Sequence, residues 1–213
     1  KVPRSVPRTY VPHSFAHDEL KRFFDACDNI KPRRGRLAAI QRMTLPVFFR
    51  LLYSSGMRTT EAILLERDDV NLENGVVSIK RGKGYDQHYA VLHDTMLDLM
   101  RTYDGRMDEL VPNRRVFFPT PDDKPHPPAW VTYHFRVLWQ SCNSSHAIPY
   151  ELRHNYAIEN INSWTHQGFA VHDKLLALSK SMGHRQIGST LAYYSLTPAI
   201  SDIMACTDNE INQ

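Results

Sequence analysis

The sequence predicts an α+β fold that is mostly α, a helical bundle with one small antiparallel β-sheet, and three observations lead to this prediction. Apolar residues recur at helical spacing up to residue 66, alternate as in strands over residues 71–93, and return to helical spacing from residue 94. Residues 119–128 contain five prolines and are predicted to form a loop. With 213 residues, 42% of them hydrophobic, the chain can bury one core.

Three helices are predicted before the sheet. The first spans residues 18–30. The second is predicted from the apolar run over residues 45–57 and stops at Gly56, because glycine readily takes the left-handed backbone that ends a helix. A shorter helix over residues 59–66 follows almost at once.

The sheet is predicted from a hairpin pattern within residues 71–93. A turn at Asn74 and Gly75 precedes a β-branched run, and a Gly-Lys-Gly loop around Lys83 separates that run from a second strand. Helix returns over residues 94–103. Beyond the proline-rich loop, helical spacing continues in five segments, namely 130–142, 151–164, 171–182, 187–195 and 199–207.

Composition excludes several classes of protein. No stretch approaches about 18 uninterrupted apolar residues, so a membrane span is not expected, and the chain does not start with a signal-peptide pattern. Cys27, Cys142 and Cys206 lie far apart and in no CxxC spacing. They predict reduced thiols in an intracellular protein, with neither a zinc site nor a disulfide framework.

The charge distribution is compatible with a nucleic-acid partner. The net charge of +3 is mildly basic and by itself favours such a partner only weakly. Clustered positive residues suit contacts with phosphates, although a solvated charged face explains them equally well. The two clusters are Lys1, Arg4 and Arg8, and Lys31, Arg33, Arg34, Arg36 and Arg42.

Three segments occur in this order: "SSGMRTTEAILLERDDVNLENGVVSIKRGKG", "PYELRHNYAIE" and "LSKSMGHRQIGSTLAYYSL". Taken together, they resemble the signatures of tyrosine recombinases of the lambda-integrase (phage integrase) family. The family has an Arg that opens a helix after a Gly, a hairpin Lys, a His-x-x-Arg-His box, then Gly-His and a Tyr nine residues later. Each segment alone is weak evidence, because a lone Arg or Lys is usually a solvated charge. Three segments in order and at matching spacing are strong evidence.

The resemblance implies a role for each matching residue. Arg58 and Arg153 match the two catalytic arginines, Lys83 the hairpin lysine, His184 the next catalytic position, and Tyr193 the nucleophile. Glu61 and His154 match supporting residues that accompany the first and second arginine. Glu61 lies one helical turn from Arg58, so its carboxylate can hold the guanidinium in place.

These residue types suit strand transfer at a phosphodiester. Two planar guanidinium groups can hold the non-bridging oxygens, and neither loses its charge. Lys83 on a glycine-flanked turn could protonate the leaving 5′-oxygen, and His184 would donate to a non-bridging oxygen. A phosphotyrosine at Tyr193 would conserve bond energy, so no ATP, cofactor or metal ion is expected.

The sequence departs from the family pattern at two positions. Tyr150 stands where the family usually has His, three residues before Arg153. A phenol is a poor general base at neutral pH, although it can donate a hydrogen bond to phosphate, so Tyr150 is kept as a catalytic candidate. His88 stands where the hairpin more often has Arg, which puts a supporting DNA contact in doubt. Tyr194 is the alternative nucleophile, because some relatives use a spacing of ten residues.

The resemblance also divides the chain and implies partners. Residues 1–13 would be a linker from a missing core-binding domain, residues 14–195 the catalytic domain, and residues 196–213 a C-terminal tail helix. The expected partner is double-stranded DNA bound by a cyclic homotetramer, with weak DNA binding by this fragment alone. The tail could pack in cis or dock on a neighbouring protomer, and the sequence leaves both open.

The function implied is site-specific recombination through a 3′-phosphotyrosine and a Holliday junction, in a bacterial cytoplasm. The closest likeness is to recombinases of transposons and conjugative elements, which indicates integration and excision of a mobile element. Two alternatives remain. One is a DNA-binding module with a weakened active site, suggested by Tyr150, and the other is a type IB topoisomerase-like activity, which shares the catalytic logic.

Overall fold

A computed structural model describes residues 12–80, 87–163, 171–184 and 190. This part of the chain is mostly helical with one three-stranded antiparallel sheet, so the predicted fold class is confirmed. Its elements in chain order are α1 (His17–Asp28), α2 (Arg36–Ser55), α3 (Thr59–Ile63), a 3₁₀ turn (Arg67–Asp69), β1 (Val70–Asn71), β2 (Val76–Ile79), β3 (His88–Val91), α4 (Asp94–Leu110), α5 (Pro128–Cys142), α6 (Glu151–Ser163) and α7 (Val171–Ser181).

The sheet has the strand order β1-β2-β3, with both pairs antiparallel. The predicted turn between the first two strands is present, since the Gly75 N–H donates to the Asn71 carbonyl at 2.9 Å. The Asn71 side-chain oxygen accepts the N–H groups of Glu73 and Asn74, as asparagine commonly does in turns. In the second pair Ile79 lies opposite His88. Residues 81–86, which come between these two strands in the sequence, lie outside the described residues.

Helix α2 corrects the sequence prediction most. The predicted helix began at residue 45, whereas α2 begins at Arg36 and contains Pro46 in its interior. The prediction rested on the apolar run over residues 45–57, so it did not include the turns before residue 45. Burial of Ile40, which is 0% exposed, holds the earlier turns in place.

Three other boundaries also differ from the prediction. Helix α4 continues to Leu110 rather than ending at residue 103, and α3 ends at Ile63 rather than at residue 66. Helix α5 begins at Pro128, the last residue of the predicted loop, because a proline in the first helical position loses no hydrogen bond. The predicted helices over 187–195 and 199–207 lie outside the described residues, apart from the helical Thr190.

The core is built around α2, which packs against α1, α4 and α6. Its buried Phe49 ring contacts Phe23 of α1 and Phe135 of α5, with centroids 5.4 and 5.7 Å apart. Trp139 stacks on Phe135 at 5.6 Å and is 1% exposed. Such aromatic packing contributes beyond the burial of area alone. These rings join α1, α2 and α5 in one core. In the described ranges, no helix is sufficiently long and apolar to span a bilayer.

Gly56 ends α2 in a left-handed conformation, with φ at +62°, and closes it with a bond from its N–H to the Leu52 carbonyl at 3.2 Å. A Cβ atom built at Gly56 would lie 2.3 Å from Cδ1 of the Tyr156 ring on α6. The side chain of any other residue would therefore strain the backbone and push α6 away from α2. The approach of these two helices depends on the absence of a side chain at Gly56.

We expect Gly56→Ala to lower the free energy of unfolding by about 2–4 kcal/mol, the sum of a left-handed alanine and an overpacked ring. Gly105→Ala is a matched control, because Gly105 lies within α4 and a Cβ there would meet nothing within 4 Å. That substitution should stabilise the chain by about 0.5–1 kcal/mol. Denaturant unfolding measures both, and equal effects of the two substitutions would contradict this account of Gly56.

Candidate active site

Arg58 lies at the corner between α2 and α3, where it caps the N-terminus of α3. Its backbone N–H donates to Oε2 of Glu61 at 2.7 Å, and its Nη1 donates to Oε1 of the same carboxylate at 2.6 Å. The Glu61 side chain is 1% exposed and that of Arg58 is 16% exposed. One buried carboxylate therefore fixes both the backbone and the guanidinium of Arg58, and the ion pair expected from the sequence spacing is present.

Arg153, in the first turn of α6, is buried at 1% exposure. Its Nη1 donates to the Gly56 carbonyl at 2.5 Å and its Nη2 donates to the Met182 carbonyl at 2.8 Å. Carbonyl groups at the C-terminal ends of helices lack partners within the helix and carry partial negative charge. The ends of α2 and α7 thus supply the acceptors that allow a permanent positive charge to be buried.

The same turn after α7 also holds Arg58. Its Nη2 donates to the Gly183 carbonyl at 3.1 Å, one residue beyond the carbonyl that Arg153 contacts. Gly183 has φ at +63°, which ends α7 and exposes successive carbonyls to the two arginines. The structure therefore brings together two arginines that are far apart in the sequence.

His184 follows this turn and completes the cluster. Its Nε2 lies 2.8 Å from Nη2 of Arg153, and its Nδ1 lies 2.7 Å from Oγ1 of the buried Thr190. A guanidinium can only donate, so Nε2 is the acceptor and Nδ1 carries the proton that it donates to Thr190. Burial, followed by the charges of Arg153 and Arg58 and by His88, lowers the pKa of His184 to about 4. The ring is therefore neutral at pH 7.

Tyr150 and His154 lie side by side near the start of α6. Their rings meet edge to face, with centroids 4.9 Å apart, and Tyr150 is 41% exposed. Burial lowers the pKa of His154, and the neighbouring Arg153 charge lowers it further, although Glu151 opposes both effects. Tyr150 is therefore much more exposed than Arg153, which is buried. The participation of Tyr150 in catalysis stays a prediction.

Lys83, Tyr193 and Tyr194 lie outside the described residues. The candidates that the described part unites are Arg58, Glu61, Arg153 and His184. A cavity of about 550 Å³ opens beside this cluster, between β3 and α7. Its lining includes His88, Tyr89, Ala177, Lys180, Ser181 and His184.

Sequence reasoning missed residues that support the cluster. His88, at the position where the resemblance implies an arginine in contact with DNA, is only 8% exposed and packs against Gly183. Buried Glu151 accepts the backbone N–H groups of His13 at 2.9 Å and Ile148 at 2.7 Å. It therefore links the segment before α1 to the start of α6. The sequence signal for this role of Glu151 is its position as an acidic residue in the first turn of a helix.

The sequence model of the phage integrase family matches residues 13–199 of this chain. Among curated proteins, tyrosine recombinase XerA of Thermococcus kodakarensis is 26% identical over 202 residues, which cover 92% of this chain and 61% of that protein. This chain therefore spans about three fifths of that relative's length.

Two solved structures have a similar fold. The crystal structure of XerA recombinase matches with a TM-score of 0.70 at 18% identity, covering 93% of this chain and 66% of that one. The post-cleavage complex of XerH site-specific recombinase with palindromic difH substrate matches with a TM-score of 0.67 at 19% identity, covering 92% and 53%. At these identities the likeness concerns the fold alone.

We expect the neutral ring of His184 to make the fold sensitive to acid. Its pKa of about 4 in the folded chain lies below the value of about 6.5 for an unfolded histidine, so the unfolded chain takes up the proton first as the pH falls. The stability contributed by this ring is fully present above about pH 6.5 and is lost as the pH falls through about 4. Denaturant unfolding across this interval measures the loss.

The variant His184→Gln should show a shallower dependence of unfolding on pH, because glutamine does not titrate. His126→Gln is a useful comparison, since burial also lowers the pKa of His126 to about 4, in a ring that stacks on Trp130. Each variant should remove the part of the pH dependence of the free energy of unfolding that its own histidine contributes. A His184 ring that titrates near pH 6.5 by NMR would contradict the assignment.

Proposed function

Because the chain belongs to the phage integrase family, we propose that it is the strand-cleaving part of a site-specific DNA recombinase that acts through a phosphotyrosine. The observation that carries this proposal is the convergence of Arg58, Arg153 and His184 on the turn after α7. These groups come from three separate helical ends. Two guanidinium groups at one place can bind the oxygens of a phosphodiester, which carries a negative charge.

The two guanidinium groups would bind the non-bridging oxygens of the scissile phosphate. Glu61 and the carbonyls of Gly56, Met182 and Gly183 hold them before DNA arrives. Donors that are already in place need no rearrangement as charge develops, and each typically contributes about 10²–10³ in rate. Arg58 is the more exposed of the two, so it would meet the phosphate first.

His184 would change its protonation when DNA binds. In the contacts described, Nε2 accepts from Arg153 and cannot donate to a phosphate oxygen. A phosphate placed beside the arginines would offset their charges and favour the protonated ring. A proton taken from solvent at Nε2 would then let His184 donate to a non-bridging oxygen while Nδ1 continues to donate to Thr190.

Tyr193 and Lys83 would perform the covalent step. The Tyr193 phenol releases its proton to solvent as its oxygen attacks phosphorus and forms a 3′-phosphotyrosine; the bond from phosphorus to the 5′-oxygen breaks, and that oxygen leaves with a proton from Lys83. The reverse step, with the 5′-hydroxyl of a partner strand, rejoins the DNA. Tyr150 would donate a hydrogen bond to the phosphate in place of the usual histidine. Repeated at paired sites by a tetramer on double-stranded DNA, through a Holliday junction, this exchange would integrate and excise a mobile element.

We expect Tyr193→Phe to bind DNA but to form no covalent adduct on a nicked suicide substrate, because the attacking oxygen is gone. Tyr194→Phe is the matched control and should still form the adduct, since neighbouring residues of the helix predicted over 187–195 would point about 100° apart and only one would face the phosphate. Denaturing gels detect the adduct. Peptide mapping of the adduct to Tyr194 would reverse the assignment, and no adduct from the unaltered chain would favour a DNA-binding module.

We expect Lys83→Ala to slow cleavage by about 10²–10⁴-fold, the usual contribution of a general acid, and to leave DNA affinity nearly unchanged. A 5′-phosphorothiolate substrate should restore the rate, because a leaving sulfur needs no proton. Lys80→Ala is the control, since Lys80 forms an ion pair with Asp69 at the end of β2 and should gain nothing from the sulfur substrate. Equal responses of both lysine variants to sulfur would exclude Lys83 as the acid.

A further inference from the structure

His88 opens β3 and is buried beneath the turn that ends α7. It is 8% exposed, although it stands two residues beyond the segment 81–86 that contains Lys83. Helix α7 packs against β3. The His88 ring therefore lies between the backbone of β3 and the turn after α7, and it is not part of an open surface.

The contact between His88 and Gly183 is close. A Cβ atom built at Gly183 would lie 2.6 Å from Cε1, 2.7 Å from Nδ1 and 3.0 Å from Nε2 of the His88 ring. The ring thus occupies the space that a side chain at residue 183 would need. Because protein interiors are close-packed, such a contact leaves the turn little freedom to move toward the strand.

The turn that this ring supports carries the groups of the active site. The Met182 carbonyl holds Arg153, the Gly183 carbonyl holds Arg58, and His184 follows directly. His88 is also close enough to His184 to help lower the pKa of that ring. A shift of the turn would move both arginine acceptors and the histidine together.

We propose that His88 is a positioning residue, whose ring fixes the turn 182–184 against β3 and so holds the cluster of Arg58, Arg153 and His184 in place. This inference rests on the proposed function and adds a residue to it. The ring of His88 contacts this turn from the side of β3. A misplacement of about 1 Å can reduce a rate about 10²-fold, so the contact matters for catalysis as well as for stability.

The test compares a variant that removes the ring with one that keeps a ring. With saturating nicked DNA, His88→Ala should cleave about 10²-fold more slowly, while DNA affinity stays within a few-fold of the unaltered chain. His88→Phe should keep most of the rate, because a ring still lies against Gly183. If His88→Ala does not fold, His88→Gln replaces it with the same expectation. Cleavage at the unaltered rate by a folded ring-less variant would overturn the proposal.

His126→Ala is the control for simple loss of packing. His126 is a histidine of similar burial, 4% exposed, that stacks on Trp130 with centroids 4.0 Å apart. Its removal should lower the unfolding temperature but leave the cleavage rate unchanged below that temperature. If the two alanine variants lose rate in proportion to lost stability, His88 has only a structural role and the proposal fails.

A readout that needs no DNA cleavage separates this proposal from the proposed function. The side-chain ¹⁵N signals of His184 report its bonds to Arg153 and Thr190. They should shift in His88→Ala, shift less in His88→Phe and remain unchanged in His126→Ala. If the unaltered chain cleaves no DNA but these shifts occur, the proposed function fails and the positioning of the turn stands. Unchanged His184 signals in His88→Ala would overturn the positioning itself.

Discussion

The burial of the Arg153 guanidinium is the constraint on which the rest of the structure depends. A permanent charge in a protein interior costs far more than folding can supply unless hydrogen bonds and neighbouring dipoles compensate it. Here the compensation comes from the carbonyls of Gly56 and Met182 and from Nε2 of His184. These partners belong to the end of α2 and the turn after α7. The fold must therefore bring both helical ends to the start of α6 before Arg153 can be buried.

Two glycines make that convergence possible. Gly56 and Gly183 both have left-handed backbones that end a helix and turn its last carbonyls toward the arginines. Each also lies against an aromatic ring, Tyr156 in one case and His88 in the other, with no room for a Cβ atom. Gly56 and Gly183, which come shortly before Arg58 and His184, are therefore structural parts of the arginine cluster, although neither has a side chain.

The surrounding core keeps these helical ends in place. The aromatic rings of α1, α2 and α5 fill the interior, and the buried Glu151 ties the backbone of His13 to the start of α6. A second buried carboxylate, Glu61, plays the same part at the start of α3. In both places an acidic side chain accepts backbone N–H groups at a helix N-terminus, where the helix dipole favours negative charge. An arginine of the cluster lies within three residues of each carboxylate.

The sequence by itself determined the fold class, the order of the helices, the small hairpin sheet and the family, because periodicity and motif spacing are local properties of the chain. It also determined the ion pair between Arg58 and Glu61, because these residues are three positions apart and so lie one helical turn from each other. It did not determine the start of α2, because the apolar run that predicts this helix begins at residue 45, whereas the helix begins at Arg36 and buries Ile40. Only the tertiary structure decided that Arg153 is buried, that His184 is neutral and that His88 lies beneath Gly183 instead of on the surface. The physical reason is that the atoms in these contacts lie from about thirty to nearly a hundred residues apart in the chain, so no local pattern encodes them.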